Sequence, residues 1–174
     1  ALIARGIPCF GPTREAALIE GSKAFCKEMM AEAGIPTAMA LVCVNTSEAE
    51  IALGAFGAPY VVKDDGLAAG KGVVVTSDRS EALEHAQSCF AAGGTVVIEE
   101  FLDGPEVSLF GISDGTTVIP LQPAQDFKRV GEGDEGPNTG GMGAYSPLPW
   151  LEESVVGEVT ERVLQPMLDA LKRR

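Results

Sequence analysis

A strand, a glycine-rich loop and a second strand follow one another between residues 60 and 76, and this unit constrains the fold more than any other segment. Residues 60–63 and 72–76 are rich in valine and predict two strands. Half of the loop between them is glycine or alanine, so an anion can approach its backbone amides closely. A strand rather than a helix follows the loop, and no Ser or Thr follows its lysine, which excludes a P-loop and a dinucleotide-binding turn.

The charge of the chain bears on what this loop can bind. There are 25 acidic and 13 basic residues, and the formal net charge is −12. Such a chain is a poor partner for nucleic acid, because neutralising many phosphates requires clustered Lys and Arg. A phosphate would have to be held locally, and Lys63 and Lys71 bracket the loop. The residues alone leave two interpretations open: a phosphate-binding loop, or a surface hairpin whose glycines only form turns.

Strands and helices are mixed along the chain without a strict βαβ repeat, which predicts an α+β fold. Apolar residues make up 45 % of the chain, enough for a packed core. The local patterns predict a strand at 7–10, helices at 13–20 and 23–33, a strand at 41–44, a helix at 48–55 capped by Ser47, a helix at 80–91, a strand at 95–99, a hairpin of 107–112 with 117–121, a loop at 131–143 and a helix at 152–171 kinked at Pro166.

Several classes of protein are disfavoured by what the sequence contains. The four cysteines are widely spaced and His85 is the single histidine, so no zinc-binding pattern is present. No run approaches the roughly 20 apolar residues of a membrane span, and no leader pattern opens the chain. We therefore expect a cytoplasmic protein that binds neither membrane nor nucleic acid. The missing Met and the helix-like end lead us to expect a fragment of a longer protein.

Four segments, in the same order along the chain, resemble the glycinamide ribonucleotide synthetases (phosphoribosylamine–glycine ligases), a family of ATP-grasp enzymes. Together they extend over nearly the whole chain, and the last is the most specific, because related ATP-grasp ligases do not share that loop in this form. The segments are GIPCFGP with EGSK at 6–12 and 20–23, VVKDDGLAAGKGV at 61–73, IEEFLDG at 98–104, and QDFKR with GPNTGGMGAYSP at 125–129 and 136–147.

The resemblance implies an ATP-grasp fold, in which two α+β lobes grip ATP, incomplete at both ends. Residues 1–36 would be the end of an N-terminal domain with linker helices. Residues 37–98 would form the ATP-grasp lid, and residues 99–174 part of the main lobe.

The resemblance also implies an ATP site. Lys23 and Lys63 match the family's two phosphate-contacting lysines, and Glu106 matches its acceptor for the ribose hydroxyls. Backbone groups of the hinge after residue 98 would read the adenine edge, namely the carbonyl of Glu100 or its neighbour and the N–H of Leu102. Taken alone, the hinge glutamates are more often solvated surface charges. The implied ATP-binding set is Lys23, Lys63, Gly66, Ala69, Gly70, Lys71, Gly72, Glu99, Glu100, Phe101, Leu102 and Glu106.

The last matching segment is implied to face the γ-phosphate and the other substrates. The implied catalytic residues are Lys63, Asp126, Lys128 and Arg129, and the implied substrate-binding residues are Asn138, Thr139, Gly140 and Gly141. The alternative is a solvent-exposed loop with a basic start. Two positions depart from the family pattern: Asp64 replaces a residue that is commonly small, and Phe127 replaces a common histidine.

The implied reaction joins glycine to 5-phosphoribosylamine at the expense of ATP, through glycyl phosphate, in an enzyme expected to be a monomer. Mg²⁺ is implied as a cofactor, with its ligands in a later segment that this chain lacks, so we expect the chain alone to be inactive. Three alternatives remain: another ATP-grasp ligase of purine synthesis, disfavoured by the GPNTGGMGAYSP loop, a nucleotide-binding module without turnover, and a plain structural domain.

Overall fold

The computed structural model describes residues 2–67, 72–136 and 139–174. Within these residues, no helix combines the length and the apolar character needed to cross a membrane. The helices are α1 (Leu18–Gly21), α2 (Lys23–Ala33), α3 (Thr46–Phe56), α4 (Arg79–Ala91), α5 (Glu153–Val159) and α6 (Gln165–Arg173), with a π-helical segment at Thr160–Leu164 and 3₁₀ turns at Ile3–Arg5 and Glu132–Asp134. The strands are β1 (Ala40–Cys43), β2 (Tyr60–Asp64), β3 (Val73–Thr76), β4 (Val96–Glu99), β5 (Gly111–Ser113), β6 (Val118–Pro120), β7 (Gln125–Asp126) and β8 (Ala144–Tyr145).

Strands β1 to β4 form one antiparallel sheet in the order β1-β4-β2-β3. Helices α3 and α4 pack against each other and against this sheet. The sheet with its two helices is therefore a two-layer α+β unit with its own core. The buried residues of that core are Cys43, Ala49, Ala52, Leu53, Val62, Ala82, Ala86, Val96 and Ile98.

The two faces of this sheet differ because successive side chains of a strand point in opposite directions. Val62 of β2 and Ile98 of β4 belong to the core beneath α3 and α4. Their neighbours Lys63 and Glu99 therefore lie on the opposite face. The register pairs Lys63 with Val97, so Lys63 and Glu99 are diagonal neighbours on that face.

Helix α2 has the boundaries that its sequence predicts. The Ser22 hydroxyl accepts a hydrogen bond from the backbone N–H of Phe25 at 3.0 Å and caps the helix. Gly34 ends it in the left-handed conformation, with φ of 66°. Helix α6 packs against α2, and Arg174 forms ion pairs with Glu28 and Glu32 on α2.

The C-terminal part combines the β5–β6 hairpin with the last helices. The hairpin turn is at Asp114-Gly115, as the sequence predicts. Gln165 joins it to α6, because its side chain accepts from the N–H of Val118 and donates to the carbonyl of Thr116. The helix expected at 152–171 is divided by the π-helical segment next to Pro166, which has no N–H to continue the ladder.

Two local predictions are wrong, and a third is only partly confirmed. Residues 7–10 form no strand, and Phe10 is 90 % exposed, because within the described residues no strand pairs with this apolar run and no core covers it. Helix α3 begins at Thr46, and its cap is Asn45 rather than Ser47, because the Asn45 side chain accepts from the N–H of Glu48. The helix expected at 13–20 is reduced to α1, preceded by turns.

Candidate functional site

A cleft of about 720 Å³ lies between α2 and the face of the sheet opposite α3 and α4. Helix α2 contributes Lys23 and Lys27 to the cleft, and the sheet contributes Lys63. The segment that follows β4 also borders the cleft, through Leu102. The residues that line it are Ile19, Glu20, Lys23, Cys26, Lys27, Met30, Pro36, Thr37, Ala38, Lys63, Leu67, Gly72, Val73, Glu99 and Leu102. Five of the implied ATP-binding residues are thus gathered around one cavity: Lys23, Lys63, Gly72, Glu99 and Leu102.

The Glu99 carboxylate holds two of the lysine ammonium groups together. Its Oε2 lies 2.9 Å from Nζ of Lys63 and 3.5 Å from Nζ of Lys27. The Glu99 side chain is only 7 % exposed, so a charge at this position needs partners to offset the loss of hydration. The alternation of β2 and β4 supplies Lys63, and α2 supplies Lys27 from the other side of the cleft.

Lys27 is a site residue that the sequence analysis missed. Besides approaching Glu99, its ammonium donates to the Thr37 hydroxyl at 2.8 Å and to the Ala38 carbonyl at 2.7 Å. It therefore ties α2 to the segment that enters β1 and to the end of β4. The available signal was its spacing: Lys27 follows Lys23 by four residues on a helix, so both side chains lie on one face.

Lys23 lies where the glycine loop begins. Its ammonium donates to the carbonyls of Asp64, at 2.7 Å, and of Gly66, at 2.9 Å. On the other side of the loop, the Gly72 carbonyl accepts from the N–H of Asp64 at 2.7 Å. The implied site residues Ala69, Gly70 and Lys71 lie outside the described residues.

The carboxylate of Asp64 is turned away from the lysines of the cleft. Asp64 Oδ1 accepts a hydrogen bond from the N–H of Gly66 at 3.3 Å and lies beside Gly94, at the end of α4. Its negative charge contributes to raising the pKa of the Cys89 thiol, although burial of that thiol is the larger cause. Strand alternation places Asp64 and Lys63 on opposite faces, so this departure from the family pattern leaves the cleft free of the extra charge.

The implied hinge is hydrogen-bonded, through Glu100, to Met39 in the segment before β1. The N–H of Glu100 donates to the Met39 carbonyl at 3.0 Å, and the Glu100 carboxylate accepts from the N–H of Met39 at 2.8 Å. Phe101 and Leu102 are 43 % and 65 % exposed, and Leu102 lines the cleft. Within the part of the chain that the structure describes, no hydrogen bond engages the Glu100 carbonyl or the Leu102 N–H, the two groups implied to read adenine.

A second cluster joins three of the implied site residues. The Lys128 ammonium forms ion pairs with Glu106 and, at 3.2 Å, with Asp126. Burial by itself would lower the pKa of Lys128, but the hydrogen bonds to these carboxylates outweigh it, and the pKa is raised above its ordinary value. Lys128 is therefore a permanent cation at physiological pH.

The glycine-rich loop after this cluster folds back on it. Both the N–H and the hydroxyl of Thr139 donate to the Lys128 carbonyl, at 2.7 and 2.9 Å, and the N–H of Gly141 donates to the Thr139 hydroxyl at 3.1 Å. Gly140 lies between them and is exposed. Arg129 instead donates to the Gly136 carbonyl at 2.9 Å, and the implied substrate residue Asn138 lies outside the described residues.

The described residues contain no group of three or more His, Cys, Asp or Glu side chains that could hold a metal ion. What they offer to a ligand is the three ammonium groups of Lys23, Lys27 and Lys63 around one cleft, and a further cation, Lys128, next to the loop that contains Thr139, Gly140 and Gly141. The cleft, where Glu99 offsets only part of the lysine charge, suits a polyanion in a chain whose overall charge is strongly negative, whereas Lys128 is paired with two carboxylates.

The fold and this cleft define an ATP-grasp domain. The structure of D-alanyl-alanine synthetase A from Vibrio cholerae matches 98 % of the chain and 54 % of its own, with a TM-score of 0.74 at 16 % identity, a likeness of fold alone. Residues 21–174 match the model of the family described as phosphoribosylglycinamide synthetase, ATP-grasp (A) domain, and the chain belongs to this family.

Two relatives agree with this assignment. The phosphoribosylamine–glycine ligase of Streptomyces coelicolor is 66 % identical over 169 residues, which are 97 % of this chain and 40 % of that protein. The crystal structure of phosphoribosylamine–glycine ligase from Thermotoga maritima matches 94 % of this chain and 43 % of its own, with a TM-score of 0.84 at 36 % identity. The chain spans about 40 % of the length of the curated relatives that it matches.

Proposed function

We propose that the chain is the ATP-binding part of an enzyme that joins glycine to 5-phosphoribosylamine and forms glycinamide ribonucleotide, ADP and phosphate. The observation that carries the proposal is the cleft that Lys23 and Lys63 both line. Beside it lies the hinge, where no hydrogen bond among the described residues engages the Glu100 carbonyl or the Leu102 N–H. The names and the identity of the relatives give the proposal its substrates.

In this proposal the triphosphate lies between α2 and the glycine loop. The ammonium of Lys23 would exchange its two loop carbonyls for phosphate oxygens, and Lys63 would share its charge between phosphate and Glu99. The Glu100 carbonyl and the Leu102 N–H would bind the adenine edge, and Glu106 the ribose. Mg²⁺, when bound with the nucleotide, would neutralise part of the phosphate charge.

The chemistry needs no nucleophile from the protein. A glycine carboxylate oxygen attacks the γ-phosphorus of ATP, ADP leaves, and glycyl phosphate forms. The amine nitrogen of phosphoribosylamine then attacks the acyl carbon and phosphate leaves. The residues of the chain would orient the reactants and stabilise negative charge, with Lys128 and Arg129 next to the loop that contains Thr139, Gly140 and Gly141.

The domain boundaries fit this proposal. The four-stranded sheet with α3 and α4 occupies 40–99, close to the lid expected at 37–98, and the hairpins and helices after residue 99 would belong to the main lobe. That the chain by itself is inactive stays a prediction.

The test is ATP-dependent phosphate release by the full-length protein, with glycine and phosphoribosylamine supplied together and each omitted in turn. We expect release only when both are present. Lys63→Ala should reduce kcat/KM by about 100-fold or more, because it removes charge at the transferring phosphate. Lys172→Ala is the matched control: this lysine is exposed, its ammonium donates to the Thr116 hydroxyl in the C-terminal part, and its loss should leave the rate unchanged.

The outcomes separate the proposal from its rivals. Phosphate release that is indifferent to glycine would point to another ATP-grasp ligase with a different acid substrate. ATP binding without release under any combination would indicate a nucleotide-binding module, and the ligase proposal would fail.

A further inference from the structure

The carboxylate of Asp65, in the glycine loop, is bound at the N-terminus of α2. Asp65 Oδ1 accepts from the N–H of Ala24 at 2.6 Å, and the Ser22 hydroxyl lies 3.1 and 3.0 Å from the two carboxylate oxygens. The N–H of Lys23 donates to the Asp65 backbone carbonyl at 3.3 Å. Three consecutive residues at the start of α2 are thus bound by one residue that lies about 40 positions further along the chain.

These contacts are favourable for a physical reason. The first N–H groups of a helix have no partner within it, and the helix dipole favours a negative charge at this end. Asp65 satisfies one of these N–H groups with a charged acceptor, which gives a stronger hydrogen bond than a neutral one. Its own N–H donates to the Thr95 carbonyl at 2.9 Å, so Asp65 is in turn held by the residue that precedes β4.

The side chains of Lys23 and Asp65 each bind the backbone next to the other residue. Asp65 binds the backbone around Lys23, while the ammonium of Lys23 binds the carbonyls of Asp64 and Gly66, the two neighbours of Asp65. The loop carbonyls therefore fix the position of the Lys23 ammonium. The N-terminus of α2, through its contacts with Asp65, fixes the position of the loop. We propose that Asp65 is a positioning residue, which holds Lys23 at the phosphate end of the cleft.

This inference rests on the proposed function, in which Lys23 contacts the nucleotide phosphates, and it adds to it. Because a carboxylate of the protein occupies the N-terminus of α2, that end of the helix is not open to a phosphate. Phosphate binding at this end of the cleft then depends on the lysine ammonium groups and on loop amides. The affinity for ATP depends in turn on how well Asp65 fixes Lys23.

The experiment compares two adjacent aspartates in the full-length protein. Asp65→Asn removes the charge that holds α2. Asp64→Asn makes the same change in charge at a carboxylate that, among the described residues, accepts one hydrogen bond, from the Gly66 N–H, and the asparagine keeps an oxygen to accept it. ATP affinity is measured by titration calorimetry at 25 °C, and folding is checked by thermal unfolding. We expect Asp65→Asn to weaken ATP binding by about tenfold and Asp64→Asn by less than about twofold.

A double-mutant cycle with Lys23→Met separates positioning from a general loss of structure. If Asp65 acts through Lys23, the effect of Asp65→Asn on ATP affinity should disappear when Lys23 is already Met. The same loss in both backgrounds, or no loss in either, would overturn the inference while leaving the proposed function intact. Unchanged ATP affinity in Lys23→Met alone would contradict the proposed function itself.

Discussion

The Lys63 ammonium and the Glu99 carboxylate lie 2.9 Å apart on the face of the sheet that lines the cleft. In the described part of the chain, Glu99 is the only charged residue that is buried, with 6 % of its surface exposed. Its carboxylate also approaches Lys27. The charge of Glu99 is therefore stabilised by two cations, Lys63 from β2 and Lys27 from α2, and Glu99 in turn offsets part of their charge.

Glu99→Gln should destabilise the fold without creating a cavity, because the two side chains have nearly the same shape. The two ammonium groups would lose their carboxylate and keep only an amide oxygen. We expect the free energy of unfolding to fall by about 2 kcal/mol, less than for a fully buried pair because the lysines are partly exposed. Urea denaturation of the full-length protein measures it, and a fall below about 0.5 kcal/mol at unchanged m-value would contradict the prediction.

Lys27→Met should be at least as destabilising. The substitution keeps most of the side-chain volume but leaves the Ala38 carbonyl, the Thr37 hydroxyl and the Glu99 carboxylate without this donor. We expect a loss of about 3 kcal/mol in the free energy of unfolding.

The matched control for Lys27→Met is Lys172→Met, which removes an exposed ammonium that donates a long hydrogen bond, 3.4 Å, to the Thr116 hydroxyl. It should change the free energy of unfolding by less than about 0.5 kcal/mol. Equal effects of the two substitutions would show that the network around Lys27 does not stabilise the fold.

Local features of the structure were predictable from the sequence. The cap Ser22 and the stop Gly34 define α2, because a hydroxyl before the helix and a glycine after it satisfy the end groups locally. The turn at Asp114-Gly115 is set in the same way, since Asp114 accepts from the N–H groups of Thr116 and Thr117. Hydrogen bonds to the charged form also lower the pKa of Asp114, the Thr117 bond most.

The features that the sequence did not reveal depend on contacts between distant segments. Lys27 becomes a site residue only because residues 37, 38 and 99 converge on it. The role of Asp65 has the same origin, since its partners lie about 40 residues earlier. Conversely, residues 7–10 have the composition of a strand, but no strand in the described part of the chain pairs with them.

Cys26 should report on the occupancy of the cleft. It lines the cavity, and burial raises the pKa of its thiol above the ordinary range; nearby Lys27 opposes this, while Glu20 and Glu99 add to it. A raised pKa leaves less thiolate at a given pH, so iodoacetamide should alkylate Cys26 more slowly at pH 8 than the exposed Cys9. The rate should increase as the pH rises past about 8.5, the usual thiol value.

Saturating ATP should slow the alkylation of Cys26 further, because the nucleotide would cover it. Cys89 is the internal control: it is also a half-buried thiol of raised pKa, but it lies on α4 outside the cleft. Mass spectrometry of the alkylated peptides distinguishes the sites. Protection of both thiols by ATP would indicate a global tightening, and protection of neither would argue against nucleotide binding in this cleft.

Gly111→Ala should disturb the pairing of β5 with β6 and, to a smaller extent, the contact of this hairpin with Leu164. A Cβ atom at residue 111 would lie 2.5 Å from Cγ2 of Val118 and 3.3 Å from Cδ1 of Leu164. The branched Val118 side chain has little rotameric freedom to move aside, so β5 and β6 would have to shift relative to each other. We expect a loss of about 1–3 kcal/mol in the free energy of unfolding.

Gly157→Ala makes the same chemical change where there is room for it. Gly157 lies within α5, and a Cβ atom there would meet no atom within 4 Å. Because alanine loses less entropy than glycine in a helix, this variant should be more stable by about 0.5–1 kcal/mol. Thermal and urea unfolding of the two variants should therefore shift in opposite directions. A gain in stability for Gly111→Ala would mean that the close approach of Val118 does not limit the size of residue 111, and a loss for Gly157→Ala would contradict the room found at residue 157.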